Sequence, residues 1–161
     1  MPYRKYLLFL LLITALNSNN VHAQTASTTI AVSATVLTDC VVTALPLVFG
    51  NYSSGSSNDA TNTITVTCTI GTPYNIGLDA GVGAGATVTT RKLTSGSDTL
   101  DYILYQDASR TIILGETIGA DTISVASAGA IDAHTVYGRI PSGQNVPAGV
   151  YTDTVTVTVT Y

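Results

Sequence analysis

Residues 151–161, YTDTVTVTVTY, alternate more cleanly than any other segment of this 161-residue chain. Tyr151, Val155, Val157, Val159 and Tyr161 fall on one face; Thr152, Thr154, Thr156, Thr158 and Thr160 fall on the other. Successive side chains of a strand point to opposite faces of its sheet, so the pattern predicts a strand with one buried side. Such a strand needs neighbours, and no turn or partner segment follows it in the sequence as given. A second alternating stretch, Ile30, Val32, Ala34 and Val36, lies near the opposite end. A strand wanting at one end and a strand to spare at the other predict a subunit completed by its neighbour.

The first residues read as an export leader. Arg4 and Lys5 give a positive start, Leu7–Leu16 is apolar but too short to span a bilayer, and Val21-His22-Ala23 offers small residues for cleavage. Cleavage after Ala23 leaves 138 residues, enough for one domain with a real core. No later stretch approaches the roughly 20 apolar residues of a membrane helix, so no membrane insertion is expected after cleavage. Removing Arg4 and Lys5 from six basic residues leaves four against ten acidic ones, a net charge of −6. That balance argues against a nucleic-acid or anionic-lipid partner.

Threonine is the commonest residue, and lysine and glutamate are rare after the leader. Thr, Val, Ile and Tyr favour strands, so the composition is that of an all-β domain. Strands are expected at Thr63–Ile70, Tyr74–Leu78, Thr87–Leu93, Leu100–Tyr105, Thr111–Leu114, Ile123–Val125 and His134–Ile140 before the last one. Val41–Phe49 is apolar but broken by Pro46, which fits an edge strand or a bend. Gly50–Asn62 has the composition of a loop. Short strands at this spacing, without an amphipathic helix, predict a β-sandwich.

Cys40 and Cys68 are the two cysteines of the chain. An even count in an exported protein predicts one disulfide, worth about 3.6 kcal/mol for a loop of this length, with buried free thiols as the alternative. Ile64, Val66, Cys68 and Ile70 share a face, which would let Cys68 reach Cys40 across the core.

Several phrases together resemble one family. They are Leu47-Val48-Phe49-Gly50-Asn51-Tyr52; Thr67-Cys68-Thr69 followed by Tyr74-Asn75-Ile76-Gly77-Leu78-Asp79-Ala80-Gly81; Leu100-Asp101-Tyr102-Ile103-Leu104-Tyr105-Gln106-Asp107; Val136-Tyr137-Gly138-Arg139-Ile140-Pro141; and Pro147-Ala148-Gly149-Val150-Tyr151-Thr152-Asp153. In this order they resemble the spore coat protein U-like domain, used by subunits of archaic chaperone–usher pili. One departure is Leu114 ahead of Gly115, where that family often has tryptophan. The resemblance implies an incomplete immunoglobulin-like β-sandwich completed by donor-strand exchange. A periodic donor segment, 24–38, would precede a pilin domain, 39–161. Ile30, Val32, Ala34 and Val36 would be the donor residues, and Val155, Val157, Val159 and Tyr161 the acceptor strand. Expected partners are neighbouring pilin subunits, a periplasmic chaperone and an outer-membrane usher. The product would be a cell-surface fibre for adhesion and biofilm formation. The alternative is a secreted monomeric β-sandwich that binds carbohydrate or another surface ligand.

No catalytic site, metal site or cofactor is expected. His134, with Asp132 and a serine, has the residue types of a hydrolytic triad, but no G-x-S-x-G elbow occurs. Asp98, Asp101 and Asp107 lack the spacing of a calcium loop. Gly81, Gly83 and Gly85 lack the helix and lysine of a phosphate-binding loop. Tyr102, Tyr105 and Tyr137 have the chemistry of a sugar platform, though inward tyrosines of a core are the commoner arrangement. Arg139 is expected to pair or snorkel at a sheet edge.

Overall fold

The computed structural model describes residues 23–129 and 131–161; the leader expected at 1–23 lies, but for Ala23, outside them. Eight strands make up the described fold: β1 (Cys40–Ala44), β2 (Asn58–Cys68), β3 (Pro73–Leu78), β4 (Arg91–Ser95), β5 (Asp98–Tyr105), β6 (Ile123–Ala126), β7 (Asp132–Ile140) and β8 (Val157–Thr160). They form a five-stranded sheet in the order β1-β2-β7-β5-β4 and a three-stranded sheet in the order β6-β3-β8, with every pairing antiparallel. The fold is the all-β, immunoglobulin-like sandwich expected. Among the described residues no helix is long and apolar enough to cross a membrane.

The core is built by strict alternation. Ile64, Val66 and Cys68 of β2, Tyr74, Ile76 and Leu78 of β3, Leu100, Tyr102 and Leu104 of β5, and Val136 and Ile140 of β7 are all buried. Leu114, standing where the family often has tryptophan, is fully buried. On β7 the glycine between Val136 and Ile140 is required by packing: a Cβ on Gly138 would lie 2.8 Å from the Phe49 ring and 3.1 Å from Leu47. Phe49 then meets Tyr102 edge-on, with centroids 5.8 Å apart.

The disulfide joins Cys40 to Cys68, but not across the core. The two residues are direct cross-strand partners on neighbouring strands, with Cα atoms 4.1 Å apart. It fastens β1, an edge strand, to β2. Three other expectations shift for identifiable reasons. β2 begins at Asn58, inside the expected loop, because Asp59 stands opposite Arg139 and takes both its Nε (2.7 Å) and Nη2 (2.8 Å) donors; Arg139 therefore pairs rather than snorkels. At 111–114 the expected hairpin pairing with β5 is reduced to one bridge, Tyr105 with Ile113. It is flanked by bonds from Gln106 N–H to the Ile112 carbonyl and from Leu114 N–H to the Leu104 carbonyl, both 2.9 Å, while the Asp107 carboxylate accepts the N–H groups of Thr111 (2.9 Å) and Ile112 (2.8 Å). β4 starts only at Arg91, since Thr87 and Thr90 close a tight turn by exchanging two backbone bonds of 3.0 Å.

Arg91 was not singled out by its sequence, yet it is a fully buried side chain. Its guanidinium donates to four backbone carbonyls: Asp79 at 2.7 Å, Val88 at 2.9 Å, Leu78 at 2.9 Å and Leu114 at 2.8 Å. Burial pushes its pKa down, but arginine keeps its proton in proteins. The group thus ties the end of β3, the 87–90 turn and the segment after β5 to one point. Truncation would strand four acceptors in a desolvated place. Arg91→Met is expected to lower stability by about 3–5 kcal/mol, read as a lower urea midpoint at unchanged slope.

Candidate functional site

β1 and β8 are each the last strand of their sheet. Among the described residues β1 pairs only with β2 and β8 only with β3, so there each presents a row of unpaired backbone groups. The two strands approach each other, and the sandwich opens beside them, past Ala44 and ahead of Val157. A groove of about 390 Å³ runs between residues 44–49 on one wall and 153–157 on the other. Its floor is apolar and includes Ile64, Leu78, Tyr102, Leu104 and Val136. The groove widens into a trough of about 850 Å³ between residues 47–54 and 144–153.

Each wall follows from its sequence. Pro46 cannot donate to a ladder, and β1 stops at Ala44. The chain then runs as a strap, its Phe49 and Asn51 carbonyls accepting the Asn58 side-chain amide at 2.9 Å and 3.0 Å. Further along, the Tyr52 hydroxyl donates to the Pro141 carbonyl at 2.9 Å. On the other wall, the C-terminal segment crosses between sheets. Thr152 bridges to Thr94 of β4, whereas Val157–Thr160 pair with Leu78–Asn75 of β3. At the crossing Asp153 faces inward and accepts the Tyr102 hydroxyl at 2.7 Å and the Val82 N–H at 2.9 Å. Burial, then this bond to Asp153, raises the Tyr102 pKa, so the phenol stays protonated. Gly81 at φ +80° lets the loop pass over that carboxylate, since a Cβ there would sit 2.1 Å from Asp153 Oδ2.

Of the four acceptor residues, Val155 and Val157 line the groove. Val159 is partly buried against the core, and Tyr161 is 56% exposed. Ile30, Val32, Ala34 and Val36 lie in a segment, 23–39, without strand structure; Ile30, Val32 and Val36 are 82–89% exposed. The opposite wall was missed in the sequence. The inward alternation of Leu47 and Phe49 was the available signal, obscured by the proline beside it.

A family model described as the Spore Coat Protein U domain matches residues 26–158. The chain belongs to that family. It is 35% identical over 126 residues to "Protein U" of Myxococcus xanthus, an alignment covering 70% of each protein. Among solved structures it resembles a chaperone–tip adhesion subunit pre-assembly complex from the archaic chaperone-usher Csu pili of Acinetobacter baumannii. That likeness has a TM-score of 0.57 at 24% identity over 79% of this chain, and the chain spans 40% of the one it matches.

Within this spore coat protein U domain the other candidate residues are dispersed. Tyr102 points into the core while Tyr105 and Tyr137 lie on the outer face, Tyr137 beneath Arg110 at 5.8 Å, so no tyrosine platform forms. Asp107 caps its own turn and Asp101 pairs with Lys92 at 3.0 Å. Asp132 and His134 do share the inner face of β7, but their partner is Tyr74: its hydroxyl is 3.1 Å from Asp132 Oδ2 and 2.8 Å from His134 Nε2. Burial, then the bond to Asp132, pushes the Tyr74 phenol up to about 12, which leaves a donor and not a nucleophile at neutral pH. Burial also lowers the His134 pKa, with Asp132 opposing. A histidine whose pKa falls on folding favours the folded state when neutral. That stability is present above the unfolded value of about 6.5 and is lost as pH falls through it. Urea midpoints are therefore expected to drop between pH 7 and pH 5, and His134→Gln should flatten that part of the profile.

Proposed function

We propose that the chain is a structural pilin subunit of an archaic chaperone–usher pilus. In this reading residues 1–23 direct export, 24–38 are the donor segment and 39–161 the pilin domain. A periplasmic chaperone holds the subunit, an outer-membrane usher assembles it, and the product is a surface fibre for adhesion and biofilm formation. The observation that carries the reading is the apolar groove between residues 44–49 and 153–157, beside two unpaired strand edges. An extended apolar segment is the chemistry that fits it: main-chain groups satisfy β1 and β8, while alternate side chains enter the floor. Ile30, Val32, Ala34 and Val36 have that alternation, and the segment 24–38 carries no charge, proline or glycine.

A segment from a second copy would join subunits head to tail, and such contacts produce filaments where they do not close into a ring. The acceptor strand is then Val155, Val157, Val159 and Tyr161, with Leu47 and Phe49 facing it. An uncovered groove of this kind aggregates, which supplies the physical need for a chaperone. The family and the likeness to a chaperone–subunit complex support this assignment.

The test is unboiled gel electrophoresis of periplasm-expressed protein, coexpressed with a chaperone and usher from its own operon. A ladder of SDS-resistant multimers that collapses on boiling is expected, and Val32→Asp should abolish it. A soluble, cooperatively folded monomer in both cases would overturn the reading.

A further inference from the structure

We infer that Tyr74, Asp132 and His134 form a binding site for a divalent transition-metal ion, with Cu2+ the species held most tightly. The site is separate from the groove and does not rest on the assembly proposed above. No metal site was expected from the sequence, in which Tyr74 stands 58 residues from Asp132. His134 is the single histidine of the chain after the expected leader. It lies two residues from Asp132 on β7, so strand alternation turns both side chains to the interior. Tyr74 of β3 reaches them from the other sheet. Its hydroxyl oxygen is 2.8 Å from His134 Nε2 and 3.1 Å from Asp132 Oδ2.

Those spacings suit neighbouring ligands of one ion. Bonds of about 2.0–2.1 Å set adjacent ligands about 2.9 Å apart in a square or octahedral shell and about 3.3 Å apart in a tetrahedral one. Without an ion, the phenol proton holds the three atoms together. An ion bound to all three displaces that proton to solvent, and its charge inverts the local preference for a neutral phenol. Imidazole nitrogen with carboxylate and phenolate oxygen is a set that takes Cu2+ ahead of the other divalent first-row ions. Among the described residues no three His, Cys, Asp or Glu side chains gather to hold a metal, and here the third ligand is a phenol. An ion also has a way in. Among the described residues β6 pairs only with β3, and β5 meets β7 only from Tyr137 to Arg139, so Asp132–Val136 has a strand on one side alone. Asp132 and His134 are partly exposed there while Tyr74 is buried, so water can complete the shell from outside. The bound ion would tie β3 of one sheet to β7 of the other.

The test adds Cu2+ alone to the chain purified from the periplasm and stripped of metal, and follows uptake by calorimetry and visible absorption. One ion per chain should bind with a phenolate-to-copper charge-transfer band, and the urea midpoint should rise with it. His134→Gln and Asp132→Asn should each weaken uptake by about 100-fold. Tyr74→Phe should weaken it by about tenfold and abolish the band, a change that a purely structural hydroxyl would not cause. Near-UV circular dichroism of each metal-free variant identifies those that fold, and the two carboxamide variants keep the shapes of the side chains they replace. No saturable uptake by the unaltered chain, or a bound ion without the band, would overturn the site. Equal affinity in a folded His134→Gln chain, which places the ion elsewhere, would overturn it as well.

Discussion

A β-sandwich must cover the apolar inner faces of both sheets, and here the cover is interrupted along one seam. The seam lies between residues 44–49 and 153–157, where β1 ends and the chain approaches β8, with Ile64, Leu78, Tyr102, Leu104 and Val136 at its base. Much of the remaining structure is arranged around this opening. The disulfide secures the edge strand on one side, where a five-residue strand with a single partner would otherwise fray. The strap 45–52, held by Asn58 and Tyr52 in place of a ladder, keeps Leu47 and Phe49 over Gly138 as a second wall.

The opposite wall depends on polar groups buried in a domain that has few. Asp153 turns inward where the C-terminal segment changes sheets, and Tyr102 and the 79–83 loop supply its hydrogen bonds. Asp79 also accepts the Thr156 N–H at 2.9 Å, which fixes the last turn before β8. Arg91 holds the carbonyls of Leu78, Asp79, Val88 and Leu114 just behind. A charge surrounded by carbonyl oxygens is satisfied without a carboxylate at contact distance, and its rigid fork of donors orients several segments at once. The open seam is thus framed by a covalent link on one side and a hydrogen-bonded centre on the other.

Period-two alternation made much of the fold legible. The alternation of β3, β5 and β7 was plain in Tyr74–Leu78, Leu100–Tyr105 and Val136–Ile140, and those residues are the core. Side chains that act through hydrogen bonds were harder to read. Asp107 takes the N–H groups of Thr111 and Ile112 and leaves 111–114 a single bridge to β5, Asp59 recruits a loop-like stretch into β2, and Arg91 enters the core from a position flanked by polar residues. Each depends on a partner distant in sequence or on carbonyl geometry, neither of which local patterning encodes. The candidate groove was half visible for the same reason. Val155 and Val157 follow a clear alternation, whereas Leu47 and Phe49 sit in an irregular strap behind a proline. The disulfide pairing was readable from count and compartment, but its position between adjacent strands followed only from register.

The central claim is that the seam between β1 and β8 accepts a strand from another copy. Amide hydrogen exchange on the full-length Val32→Asp chain, with and without a synthetic peptide of residues 24–38, tests it most directly. Added peptide should slow exchange at the outward-facing amides of Cys40–Ala44 and Val157–Thr160 by about tenfold or more, while β5 and β7 stay as they were. Unchanged exchange at both edges with saturating peptide, or protection confined to another surface, would contradict the account.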